Sequence, residues 1–349
     1  MRPSLFVALF ALSGLVPAFA QTAATTAATA APAPAPVTSV ANLEAVVVSG
    51  VQPGPGLWKV SKGDHVMWVL GTLSPLPDHM QWKTDDVEQV IAQSQEVLEP
   101  PRVQIKADVG FFGKLFLLPS LIGARKSPDG ASLRQLVTPD SYARWLVLKQ
   151  QYIGRDSGIE RWRPIFAATE LYDKAIKQTG LSASGGVKNT IRDLANKHGI
   201  KLTKTDYKLA IAKPREAVKT FKSSAMDDQA CFSGVISGLE HSLGGITARA
   251  NAWATGDIEI LRTLPLHDQR EACIAAVTEA GFAKKLGLND LPQRVEGIWI
   301  GAAEQALTNN TQTFALLPMD EVLGPDSYLA KLKAKGYTVQ APDEQDTTP

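Results

Sequence analysis

The sequence predicts an α/β fold, a mixed β-sheet flanked by helices, with a helical layer between the second and the last of the strands that lead to the site. Three observations carry this prediction. Residues 66–70, VMWVL, form an unbroken apolar run that stops at Gly71-Thr72, the pattern of a strand buried on both faces. From Ser132 to Leu307 helical periodicities follow one another, most with recognisable start or stop residues. A second apolar strand, Thr313–Leu317, comes only after them and is followed by a helical pattern and a short strand.

Taken in order, Leu57–Val60 and His65–Leu70 flank Ser61-Lys62-Gly63-Asp64, a hairpin with Gly63 in the turn. The second of these strands runs into the loop Gly71–Pro77, where Gly71 permits close backbone approach and Pro75 and Pro77 fix the turn. Loops leaving the carboxyl ends of strands carry the ligand sites of α/β sheets, so this loop is the first candidate site. Asp85–Ser94 reads as a short amphipathic helix with Thr84 as N-cap, and Gln95–Leu98 as a strand ended by Glu99-Pro100-Pro101.

Residues 102–132 contain GFFGKLFLLPSLIGA, which reads as packed core, with a flap beside the site as the alternative. Helices are expected from Thr138-Pro139, over Arg161–Gln178 and over Val187–His198, the last two closed by Gly180 and Gly199. Arg163-Pro164 is read as a helix start. A strand, Ile200–Thr205, follows. Ala217–Ala254, Ile258–Leu264, Gln269–Leu286 and Pro292–Leu307 make up the helical layer. The helix Ser327–Ala334 and the strand Tyr337–Gln340 close the domain.

The chain starts with the pattern of a secretory leader: Arg2, the apolar run Leu5–Val16, and Ala18-Phe19-Ala20 as a cleavage site, giving a leader over 1–20. That run is too short for a membrane span, and no transmembrane segment is expected after cleavage. Residues 21–53, rich in Ala, Thr and Pro, read as an extended disordered linker, and 343–349 as a flexible tail. The domain proper is expected over 54–342, in a periplasmic or secreted protein. There are 36 basic and 35 acidic residues, scattered along the chain, which argues against a nucleic-acid surface. The two cysteines, Cys231 and Cys273, have no cluster of zinc ligands nearby, and an exported chain with such a pair is expected to join them in a disulfide between two helices.

The stretch 66–82, with Leu57–Val60 before it, resembles the TraB/GumN family, to which the TIKI-type proteases are related. The family's Gly-Thr-x-His element is matched by Gly71 and Thr72, followed by Leu76-Pro77 and Trp82, but its histidine falls on Ser74. Glu99 matches a glutamate at the end of the family's second strand, and Asp206 supplies a carboxylate at a third mark. Trp253, Gly256 and Asp257 match a W-x-x-G-D element, read here as core tryptophan, helix stop and N-cap. Phe314, Gly324, Pro325, Asp326, Gly336, Tyr337 and Val339 match the last motif, whose histidine falls on Glu321 and whose first glycine falls on Pro318. The resemblance implies two similar halves, echoed in Val69–Leu76 and Leu316–Leu323, whose strand ends converge on one site.

The resemblance also implies a divalent metal held by two histidines with carboxylates beside them, acting on a peptide-like substrate. Neither histidine is present, and His79, beyond Ser74, is read as a solvated loop residue. The candidate catalytic residues are therefore Ser74, Glu99 and Glu321. The expected reading is a degenerate member with no cofactor, acting as a binding or scaffolding protein in the cell envelope and holding a peptide, glycan or partner in the old cleft. The alternative is a hydrolase with an oxygen-rich site for Mn, Mg or Ca built from Glu99, Asp206, Asp320 and Glu321. A third reading makes Ser74 a nucleophile, but Pro75 removes the backbone N–H that would help build an oxyanion hole. Each acid also has a plain reading: Glu99 and Asp206 as strand-end residues or partners of an arginine, Glu321 as a helix-entry or exposed loop acid.

Overall fold

The computed structural model describes residues 50–78, 80–107, 123–182, 186–241, 243–264 and 268–345. The expected leader, nearly all of the expected linker, His79, most of the apolar GFFGKLFLLPSLIGA stretch and residues 346–349 lie outside the described residues. The strands are β1 (Leu57–Lys62), β2 (His65–Thr72), β3 (Leu76–Pro77), β4 (Glu96–Leu98), β5 (Arg102–Ala107), β6 (Leu181–Ser182), β7 (Lys201–Thr203), β8 (Asp206–Ile211), β9 (Gln312–Pro318) and β10 (Thr338–Gln340). The helices are α1 (Asp85–Gln93), α2 (Leu133–Leu136), α3 (Pro139–Tyr152), α4 (Pro164–Gln178), α5 (Val187–Lys197), α6 (Pro214–Ser223), α7 (Gln229–His241), α8 (Leu243–Thr255), α9 (Ile258–Thr263), α10 (Asp268–Thr278), α11 (Gly281–Lys285), α12 (Leu291–Asn309), α13 (Met319–Val322), α14 (Tyr328–Ala334) and α15 (Pro342–Gln345).

The main sheet has the order β10-β1-β2-β9-β4-β7, and the fold is the mixed α/β arrangement that the sequence predicts. The β1–β2 hairpin is antiparallel, with Gly63 in the left-handed region at its turn. β2, β9, β4 and β7 run parallel. Val69 and Leu70 in β2 and Phe314, Ala315 and Leu317 in β9 are fully buried, as central parallel strands covered on both faces require. The register pairs Gly71 with Leu317 and Thr72 with Pro318, so the two echoing segments lie side by side. No described helix is long and apolar enough to cross a membrane.

The helical layer has its own core, built on Trp145, Leu171, Phe232 and Ile236 from α3, α4 and α7. Glu160, in the turn Gly158–Arg161 between α3 and α4, joins it by accepting hydrogen bonds from Tyr142 and the Trp145 indole, both at 3.1 Å. The disulfide Cys231–Cys273 ties α7 to α10, the pair the compartment argument anticipates. Arg163 precedes Pro164 at the start of α4, and its buried guanidinium donates to the carbonyls of Phe221, Lys222 and Ser224 at the end of α6. Asp228 returns the favour, accepting the Ile165 N–H at 2.9 Å in the first turn of α4. Burial raises the Asp228 pKa above its ordinary value in spite of that bond.

Three local readings differ in detail. Thr84 precedes α1 but makes no side-chain cap; only its carbonyl is used, by the Glu88 N–H. A second, two-stranded parallel ribbon, β5–β8, occupies residues the sequence reading left without strands. The end of the domain continues into α15, where Asp343 pairs with Arg262 of α9.

Candidate functional site at the carboxyl edge of the sheet

Because β2, β9, β4 and β7 are parallel, their carboxyl ends lie along one edge. Ser74 follows β2, Asp320 and Glu321 follow β9, Glu99 follows β4, and Asp206 lies just beyond β7. The five candidate residues thus belong to adjoining strand ends, as a site at the sheet's switch region demands. Chain backbone locks the β4 and β7 ends together. The Glu99 N–H donates to the Thr203 carbonyl, and the buried Thr205 hydroxyl donates to the Glu99 carbonyl, both at 2.8 Å.

Two of the acids converge, and what joins them is an arginine. Arg102 donates from Nη2 to Glu99 Oε2 at 3.1 Å and from Nε to Asp206 Oδ1 at 2.5 Å. The β5–β8 register sets this up, since Arg102 stands directly opposite Asp206. The carboxylates are 10% and 4% exposed, while the Arg102 side chain is 51% exposed and reaches them from the solvent side. The hydrogen bond to Asp206, with the charges of Asp206 and Glu99 behind it, raises the Arg102 pKa further above its already high ordinary value. Arg192 of α5 adds a second cation, 3.9 Å from Glu99 Oε1. Sequence reasoning allowed for an arginine partner without identifying one. The spacing Glu99-x-x-Arg102 was the available signal, and Arg192 had none.

The remaining candidates are held differently. Asp320 and Glu321 lie in the first turn of α13, where carboxylates complement the helix dipole. That turn folds back over β2. A Cβ on Gly71 would stand 2.5 Å from Met319 Cε, so the glycine is needed for the close approach. Ser74 is exposed in the loop between β2 and β3. Among the described residues, no three His, Cys, Asp or Glu side chains come together as a metal-ligand group.

The W-x-x-G-D element lies behind the same edge and is structural. The fully buried Trp253 donates its indole N–H to the Gly71 carbonyl at 2.7 Å and meets Trp82 edge-on at 5.8 Å. Gly256 takes φ +76°, with the Gly54 carbonyl 2.9 Å from where its Cβ would be, and Asp257 caps α9 through the Ile260 N–H at 3.0 Å.

The family model of the TraB/PrgY/gumN family matches residues 56–341 of the chain, which spans every element of this edge. No curated protein and no solved structure matches it.

Proposed function

The chain belongs to the TraB/PrgY/gumN family, and from that premise we propose that it is an exported, catalytically degenerate member that works by binding in the cell envelope. The observation that carries the loss of activity is the Glu99–Arg102–Asp206 bridge. Two acids placed to receive a metal instead share a guanidinium, whose positive charge opposes a divalent ion at the same place. Ser74 and Glu321, at the positions of the two motif histidines, offer no imidazole. The leader-like start and the disulfide support an oxidising, extracytoplasmic compartment. The ligand class in this reading is a peptide or glycan lying along the carboxyl edge.

The test is a thermal-melt titration of residues 21–349 with Mn, Co, Zn, Mg and Ca, beside Glu321→Ala. An ion that binds only the native state raises Tm by mass action. The reading expects no saturable rise with any of them. A saturable rise with one ion, lost in Glu321→Ala, overturns it in favour of a metal-dependent, peptidase-like hydrolase with a carboxylate-rich site. One observation favours that second reading: Arg102 is half exposed, so its side chain can swing out and leave Glu99 and Asp206 to an ion. Arg102→Ala in the same titration separates the two. Metal binding that appears only in this variant means that the arginine is what closes the site.

A further inference from the structure

β5 and β8 make a ribbon of two parallel strands outside the main sheet, and no described strand pairs with the outer edge of β5. In such a pair, alternate residues of each strand turn their N–H and C=O groups away from the partner. The outer edge of β5, six residues long, is therefore a row of unpaired donors and acceptors and a template for a further strand. It begins at Arg102, the residue that bridges Glu99 and Asp206.

The two faces of the ribbon differ. On one, Val103 and Ile105 stand opposite Tyr207 and Leu209. This apolar face is covered on the β8 side: Leu209 packs against the cluster of Phe282 and Leu288, and the Tyr207 hydroxyl accepts from Arg294 of α12 at 2.9 Å. On the β5 side it is open, with Val103 38% and Ile105 63% exposed. The other face carries Arg102, Gln104 and Lys106 beside Asp206 and Lys208. Arg102 and Asp206 bond to each other, while no described acid pairs with the exposed Lys106 and Lys208, so this face keeps surplus positive charge.

We propose that the outer edge of β5 takes up an extended peptide as a third strand, and that this peptide alternates acidic with apolar side chains. Its apolar residues continue the row of Val103 and Ile105, and its acids lie beside Lys106. A second copy of the chain fits this edge worse. Pairing residues 102–106 with themselves around a two-fold axis sets Arg102 against Lys106 of the other copy at both ends, and like charges directly opposite oppose pairing. This peptide is the ligand of the binding role proposed above, on which the inference rests, and it enters beside Arg102.

The test adds fluorescein-labelled Glu-Val-Glu-Val-Glu-Val amide to the full chain, beside the same peptide N-methylated throughout and a peptide with Lys for Glu. Anisotropy reads binding, and amide exchange followed by mass spectrometry locates it. The expected result is saturable binding of the acidic peptide, absent from the N-methylated one, with added protection over residues 102–107. Lys106→Glu, at an exposed position, should weaken the acidic peptide about two- to fivefold and strengthen the basic one, as an exposed ion pair warrants. No saturable binding, equal binding of the N-methylated peptide, or an unchanged preference in Lys106→Glu overturns the proposal. Binding that protects 71–77 or 319–322 and not β5 also overturns it, while leaving the binding role in place. Protection of β5 without peptide overturns it as well: the edge is then covered by a second copy where protection grows with protein concentration, and by the chain itself where it does not. The metal titration judges the loss of activity separately.

Discussion

Trp253 donates its indole N–H to the carbonyl of Gly71 across 182 residues of sequence. The bond ties the helical layer to the central strand at the point where the candidate site begins. Trp253→Phe keeps an aromatic ring in a fully buried position but removes the donor and some volume. The expected cost is about 1–3 kcal/mol, read as a lower urea midpoint with an unchanged slope. An unchanged midpoint would show that the bond contributes nothing net.

Removing Arg102 leaves two largely buried carboxylates without their shared cation. Because the arginine is itself half exposed and its pairs are partly screened, Arg102→Ala is expected to cost only about 1–2 kcal/mol at neutral pH. Urea unfolding at low and high salt measures the loss, and a deficit that does not respond to salt would point to lost packing and not to charge.

The disulfide Cys231–Cys273 closes a loop of 42 residues by sequence separation. Chain entropy then assigns it about 4 kcal/mol, and engineered losses commonly come out somewhat lower. The double variant Cys231→Ser/Cys273→Ser should therefore lose about 2–4 kcal/mol, monitored by guanidinium unfolding. The strands of the main sheet contain neither cysteine, so amide-exchange protection should fall first in α7 and α10.

Glu96 gives the acid limb of stability. Burial alone would raise its pKa, but hydrogen bonds from Thr203, Asn310 and Lys201 outweigh that and hold it below the ordinary glutamate value. A folded-state pKa below the unfolded one contributes stability that is full above the unfolded value and lost as pH falls through the folded one. Glu96→Gln should therefore flatten the loss of stability on the acid side of the ordinary carboxyl range. Tm against pH for the two proteins checks this, and parallel curves would remove Glu96 from the account.

The two central strands β2 and β9 were legible because apolar residues run unbroken through their middles. VMWVL and FALL are too short for helices and end in prolines and glycines, which marks them as covered strands. The ribbon β5–β8 was not, for a physical reason. β5 is exposed from Arg102 to Lys106, with Ile105 63% exposed, so RVQIK lacks the buried face on which a pattern is recognised. That omission hid the site's main feature, since the pairing of Arg102 with Asp206 follows from that ribbon's register. The grouping of Ser74, Glu99, Asp206 and Glu321 at strand ends was readable from sequence, while the ion pair that fills the gap between two of them required the fold. Arg163 and Asp228 were opaque for a similar reason. Each caps the helix that the other's neighbourhood supplies, and local sequence does not show which distant carbonyls or N–H groups are waiting.

The position of β9 has a consequence for the order of assembly. It is the seam of the sheet: β10, β1 and β2 lie on one side, β4 and β7 on the other, and among the described residues no other strand joins the two groups. Yet β9 begins at residue 312, when almost the whole chain has been made. Until then β2 and β4 have no common neighbour, and the sheet exists only as separate fragments. A nascent chain of this topology can pack its helical layer early, yet it cannot join the two halves of its central sheet until that late strand has been made.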